Sequence, residues 1–182
     1  SGEKMQLAIA MNALIVPTLE TLIPTAWRDE HDRELLMLMV IGQFETEFTT
    51  KDRPDGRALG YWHLEAAGFN GITTHHCTRV SVDNVRPALG MPGAPRRAGE
   101  ATADRDLWAC ALARCLLRTV RDPLPSLERA DLGWLQYKQS WRPGKLRPAR
   151  WNDVWTWALA TLHPGKQIEI VPTPQVVPGE IG

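Results

Sequence analysis

The sequence predicts a single, mainly α-helical domain. Apolar residues recur at helical spacing in several separate stretches, and Pro and Gly punctuate the gaps at Pro17, Pro24, Pro54-Asp55-Gly56, Pro143-Gly144 and Pro164-Gly165. The length, 182 residues, suffices for one domain with a real core, and neither an internal repeat nor a linker divides it. The reading is one domain over residues 1–165 and an extended tail over 166–182.

Taken in order, residues 5–15 (MQLAIAMNALI) read as a short apolar helix ended by Pro17, and 18–23 add a turn before Pro24. Asp29 or Asp32 is placed to cap the next helix, whose apolar run extends from Leu35 to Phe48. That run is apolar on nearly every face, which predicts a helix buried on most sides. Residues 49–57 (TTKDRPDGR) are turn chemistry, and 58–65 read as a short strand or a turn into the next helix. Residues 66–99 are rich in Gly and Pro, with weak helices at 69–76 and 81–88.

The second half is more periodic. In 103–118, Leu107, Ala111 and Cys115 share a face with Trp108, Leu112 and Leu116, with Asp104 or Thr102 as cap. In 126–141, Ser126 caps a run carrying Leu127, Ala130, Trp134, Tyr137 and Trp141, stopped by Pro143-Gly144. In 149–162, Trp151, Val154, Trp155, Ala158, Leu159 and Leu162 form a further stripe. The tail from Lys166, with three prolines and alternating Ile and Val, reads as extended or partly disordered, or as packing as an edge strand.

Composition bounds the function. Lys plus Arg equals Asp plus Glu, 21 each, which argues against a dedicated nucleic-acid binder. Three cysteines, Cys77, Cys110 and Cys115, lack CxxC spacing and read as reduced, mostly buried thiols. No apolar stretch approaches the roughly 18 residues a membrane span needs. Ser1-Gly2 reads as a tag-cleavage scar, and no signal peptide is visible. His75-His76-Cys77 does not complete a tetrahedral ligand set with His31 or His163, so no metal and no cofactor is expected. Arg96-Arg97, Arg147 and Arg150 read as solvated charges, with some available to acidic stem peptides or a partner protein. The eight tryptophans supply core mass, with Trp62 the best placed to stack on a sugar ring.

The informative segment is residues 41–65, IGQFETEFTTKDRPDGRALGYWHLE. Glu45 stands near the end of the apolar helix, on the side of Leu38, Ile41, Gly42 and Phe48. Gly42 removes bulk one turn before it, leaving room for a ligand or for close helix packing. An apolar surround and the negative end of the helix dipole both favour a protonated carboxyl, as a general acid for glycoside cleavage requires. Asp52, Asp55 and Glu65 are candidates for a second carboxylate, although DRPDG is also an ordinary turn.

Glu45-Thr46, then a loop, then Gly60-Tyr61-Trp62-His63, resembles the lysozyme-like superfamily. Soluble lytic transglycosylases and goose-type lysozymes carry a Glu-Ser pair at a helix end, followed by a Gly-x-x-Gln segment. Here Thr46 stands for the Ser and His63 for the Gln. The segment GYWHLE resembles still more a group of uncharacterised phage-encoded proteins with an ES…RG-F-W-Q-F-E pattern. They also share a Tyr-x-x-x-Trp-Arg-Pro-Gly-Lys block, here Tyr137 to Lys145, before a Trp-rich helix.

The resemblance implies a lysozyme-like helical domain with a small hairpin after the catalytic helix. It implies cleavage of peptidoglycan glycan strands, by lytic transglycosylase or muramidase chemistry, with Glu45 as the acid. Thr46, Gly60, Tyr61, Trp62, His63 and Tyr137 would contact substrate. Thr46 would hydrogen-bond at the cleft edge, His63 would orient sugar or backbone, and Tyr137 would be the late aromatic near the acid. It implies action in the bacterial cell wall from the host cytoplasm or a phage virion, with peptidoglycan and other virion proteins as partners. The alternative is a non-catalytic virion or interaction protein that keeps the fold; a wall-binding module is a third option.

Overall fold

The computed structural model describes residues 6–22, 28–49, 58–75, 78, 84, 87 and 105–172, and over them the chain is mainly helical. The N-terminal helix is α1 (Leu7–Ala10), a π-helical turn (Met11–Ile15) and α2 (Val16–Leu22) in one continuous run. Pro17 does not end it. A proline inside a helix removes an amide donor and crowds the preceding turn, and the wider π turn just before Pro17 loosens the ladder at that point. Thr18 adds a bond from its hydroxyl to the Leu14 carbonyl at 2.8 Å.

Helix α3 (Arg28–Thr46) is the centre of the molecule. It packs against the N-terminal helix, α5 (Arg105–Leu117) and α7 (Pro148–Leu162). Residues Leu35 to Ile41 are buried in unbroken sequence, as an all-round apolar helix requires. Full burial of such side chains is worth about 1.5–3 kcal/mol each. Neither Asp29 nor Asp32 caps α3; both lie inside its first turns. Asp32 instead reaches His163 at the end of α7, at 3.0 Å. The helix also stops at Thr46, before Phe48, because Glu47 and Phe48 turn left-handed at φ 52° and 53°. Phe48 then folds back, and its ring occupies the space over Gly42.

A β-hairpin follows, with β1 (Ala58–Leu59) antiparallel to β2 (Leu64–Glu65) and Leu59 opposite Leu64. It runs directly into α4 (Ala66–Thr74), so 58–65 is both strand and entry to a helix. The helix expected at 81–88 lies largely outside the described residues, as do the caps Thr102 and Asp104. Helix α6 (Ala130–Trp141) starts four residues after Ser126, which does not cap it. Ser126 forms a tight turn instead, its carbonyl accepting the Arg129 N–H at 3.0 Å. Past α7, residues 166–172 form no strand; Glu169 donates one backbone bond to the Glu128 carbonyl at 2.8 Å.

Two apolar clusters result. The larger joins α3, α6, α7 and the N-terminal helix; the smaller lies under the hairpin, with Leu64, Ile72, Trp108 and Leu112. Trp141 packs against both. One buried charge cluster crosses this interior: Glu34 of α3, fully inaccessible, is held by Arg114 Nε at 3.2 Å and by Arg118 Nε at 2.6 Å. Cys110 and Cys115 are buried free thiols, pushed up by burial to about 12 and about 11. Among the described residues no helix is long and apolar enough to cross a membrane.

Candidate functional site

Glu45 is the penultimate residue of α3 and opens into a cleft of about 1130 Å³. Four parts of the chain form the cleft around it: the end of α3, the hairpin with α4, the end of α5 with residues 119–122, and α6 with the segment 141–150. The Glu45 side chain is 19 % exposed, so the carboxyl is sheltered and still reachable.

Each carboxyl oxygen has its own neighbour. The Tyr137 hydroxyl donates to Oε1 at 2.5 Å, and His63 Nδ1 stands 3.5 Å from Oε2. Burial first, and then the Glu45 carboxylate, push the Tyr137 phenol up, so it keeps its proton and donates. Its ring is clamped by Trp151 at 5.0 Å, Trp134 at 5.5 Å and Trp141 at 6.2 Å, all stacked, with Phe44 edge-on at 5.4 Å. A donor packed this firmly fixes the acid's orientation with little freedom left to lose.

His63 owes its position to the hairpin turn. Gly60 at φ 72° begins the turn, its carbonyl accepts the His63 N–H at 3.0 Å, and His63 itself is left-handed at φ 47°. Only glycine fits at 60, since a Cβ there would stand 2.8 Å from that of Ala109. A left-handed non-glycine residue is uncommon and tends to mark functional sites. Nε2 of His63 is buried without a hydrogen-bond partner among the described residues, an open polar position beside the acid.

The remaining expected contacts separate from the cleft. Trp62 is fully buried, its ring edge-on to Phe48 and its indole N–H bonded to the Leu38 carbonyl at 2.9 Å, so it cannot stack on a sugar. Tyr61 is buried against Phe48 and Trp62. Thr46 does not reach the cleft edge. Its hydroxyl is buried 2.9 Å from the Tyr61 carbonyl and 3.1 Å from that of Gly42, and it accepts the Phe48 N–H at 3.2 Å. These residues and Gly60 build the wall that carries His63; they do not line the cleft. Nor does Gly42 leave ligand space, because Phe48 fills it. Glu65 does line the cleft, whereas Asp52 and Asp55 lie outside the described residues.

Arg150 corrects another expectation. It is no solvated charge: it donates to the Phe44 carbonyl at 2.9 Å and to Glu47 at 3.0 Å, with its guanidinium over the Phe44 ring. It satisfies the open carbonyl end of α3 and ties the acid-bearing turn to α7. Trp141, read from the sequence only as part of a helical stripe and of the Tyr137 to Lys145 block, donates to the Trp62 carbonyl at 2.9 Å and fastens the hairpin to α6. The signal was there: Tyr137 and Trp141 are four residues apart on one helix face. Asp122 also lines the cleft and could not have been chosen from its local sequence.

Among the described residues no cluster of three or more His, Cys, Asp or Glu could hold a metal ion. Comparison with family models, with curated proteins and with solved structures finds no match to this chain.

Proposed function

We propose that this chain cleaves peptidoglycan glycan strands, with Glu45 as general acid, in a lysozyme-like helical domain of phage or prophage origin. The observation that carries the reading is a sheltered carboxyl at a helix end, inside a large cleft, gripped through one oxygen by a rigid tyrosine. The resemblance of Glu45-Thr46 and Gly60-Tyr61-Trp62-His63 to the lysozyme-like pattern supports it from the sequence side.

In this reading Glu45 gives its proton to the glycosidic oxygen as the bond to the anomeric carbon breaks. The carboxylate left behind accepts the Tyr137 hydroxyl, which holds it in place for the return step. Two completions are chemically open. In one, the substrate's acetamido group supports the anomeric carbon and its 6-hydroxyl closes onto it. Glu45 recovers the proton, and the product is a 1,6-anhydro sugar. In the other, water attacks, and inversion requires a second carboxylate roughly 6.5–9.5 Å from the first. Glu65 and Asp122 share the cleft with Glu45 and are the described carboxylates available for that role.

Mass spectrometry of the ends released from purified peptidoglycan tests the proposal. New anhydro-muramic or reducing ends support it and divide the two completions. Intact strands after prolonged incubation would favour the non-catalytic virion or interaction protein.

A further inference from the structure

The cleft contains more positive charge than the acid chemistry uses. Arg121, Arg142, Lys145 and Arg147 all line it and are exposed, and none pairs with a carboxylate among the described residues. Arg150 differs, being committed to the end of α3. Three of the four free cations sit on the short connection between α6 and α7, which faces the cleft along its length.

A second feature reinforces them. Helix α7 begins at Pro148, and Arg147 at its N-cap makes no capping side-chain bond. The positive end of this 15-residue helix therefore stands next to Arg147, which lines the cleft, and such an end favours an anion. Arg142 is held in place by its left-handed backbone at φ 47°, its N–H bonded to the Lys138 carbonyl at 3.1 Å.

A glycan strand without its peptides offers this rim only the lactyl carboxylate of every second sugar. The peptide stems cap that group as an amide and present several carboxylates of their own, farther from the sugar chain. Resting on the function proposed above, we infer that the connection between α6 and α7 binds stem-peptide carboxylates, so that the cleft selects peptide-bearing strands over denuded glycan. Guanidinium forks suit a carboxylate directly, and charge-assisted bonds of this kind are the strong ones.

The test measures binding, so it does not depend on turnover. Glu45→Gln protein is titrated onto phosphate-free sacculi with intact stems, and onto the same glycan stripped of its peptides by an amidase. The expected result is affinity about tenfold or more higher for the peptide-bearing material, the scale of one or two charge-assisted bonds. That preference should shrink as salt is raised. It should collapse in Arg142→Gln/Lys145→Gln/Arg147→Gln, with unchanged thermal unfolding showing that the fold survives. Equal affinity for both materials, or a preference untouched by the triple substitution, overturns the charge-selection inference and leaves the glycan-cleaving proposal standing. Binding to neither material overturns both.

Discussion

The Tyr137 hydroxyl lies 2.5 Å from Oε1 of Glu45 and so joins the middle of α6 to the end of α3 across 92 positions of sequence. The bond is short, its donor is stacked between tryptophans, and its acceptor faces the cleft. Tyr137→Phe removes the donor and keeps the ring. As Glu45 gives up its proton the acceptor becomes charged, and a hydrogen bond to a charged group is worth about 1.5–3 kcal/mol, so cleavage should fall by about 10- to 100-fold. Kinetics on solubilised glycan, with thermal unfolding as control, measures this. A cleavage rate equal to wild type would mean that the bond does not hold the acid.

Gly42→Ala should destabilise the fold. The new methyl meets the Phe48 ring, which is itself packed against Tyr61 and Trp62. Overpacking of this sort costs about 1–3 kcal/mol. Gly71→Ala is the contrast, since nothing lies within 4 Å of its Cβ position in α4. Inside a helix that change should stabilise by about 0.4–1 kcal/mol. Urea unfolding of the two variants should therefore move the midpoint in opposite directions.

Glu34→Ala leaves Arg114 and Arg118 without their shared carboxylate in the interior between α3 and α5. Breaking a buried pair from one side costs about 3–5 kcal/mol. Arg118→Ala should cost less, because Arg118 is partly exposed and Arg114 still holds Glu34. Equal losses in urea unfolding would argue against this division of labour.

Stability should also fall on the alkaline side. Unfolded thiols lose their protons near 9.0, whereas native Cys110 and Cys115 keep theirs up to about 12 and about 11. Between those values the folded state binds more protons, so the unfolding free energy drops as pH rises. The limit is about 1.4 kcal/mol per pH unit for each thiol. In a Cys77→Ser background, a thiol reagent at pH 8 should label neither cysteine until denaturant is added. Rapid labelling of the native protein would contradict their burial.

The helical frame was legible because α3, α5, α6 and α7 each follow from apolar spacing, with α6 and α7 closed by Pro143-Gly144 and Pro164-Gly165. Boundaries were less so. Asp32 looks like a cap but serves His163, and Pro17 looks like a stop but is carried through by a π turn. The candidate site was legible in its members and not in their directions. Trp62 and His63 are neighbours in one turn, and the left-handed backbone at 63 sets His63 beside the acid while Trp62 is buried. No local pattern distinguishes these outcomes. Glu34 and Asp122 escaped notice, and Arg150 read as a solvated charge, because their roles depend on partners or walls far away in sequence.

The central claim is that Glu45 is the proton donor for glycan cleavage. The most direct measurement compares wild type with Glu45→Gln on purified peptidoglycan, counting new glycan ends by mass spectrometry. Glutamine keeps the shape and the acceptor for Tyr137 but has no transferable proton. The account requires turnover by wild type and a loss of at least about 10²–10⁴-fold in the variant, the usual contribution of a general acid, with thermal unfolding little changed. Equal turnover by the two proteins, or none by wild type on any peptidoglycan, would contradict it.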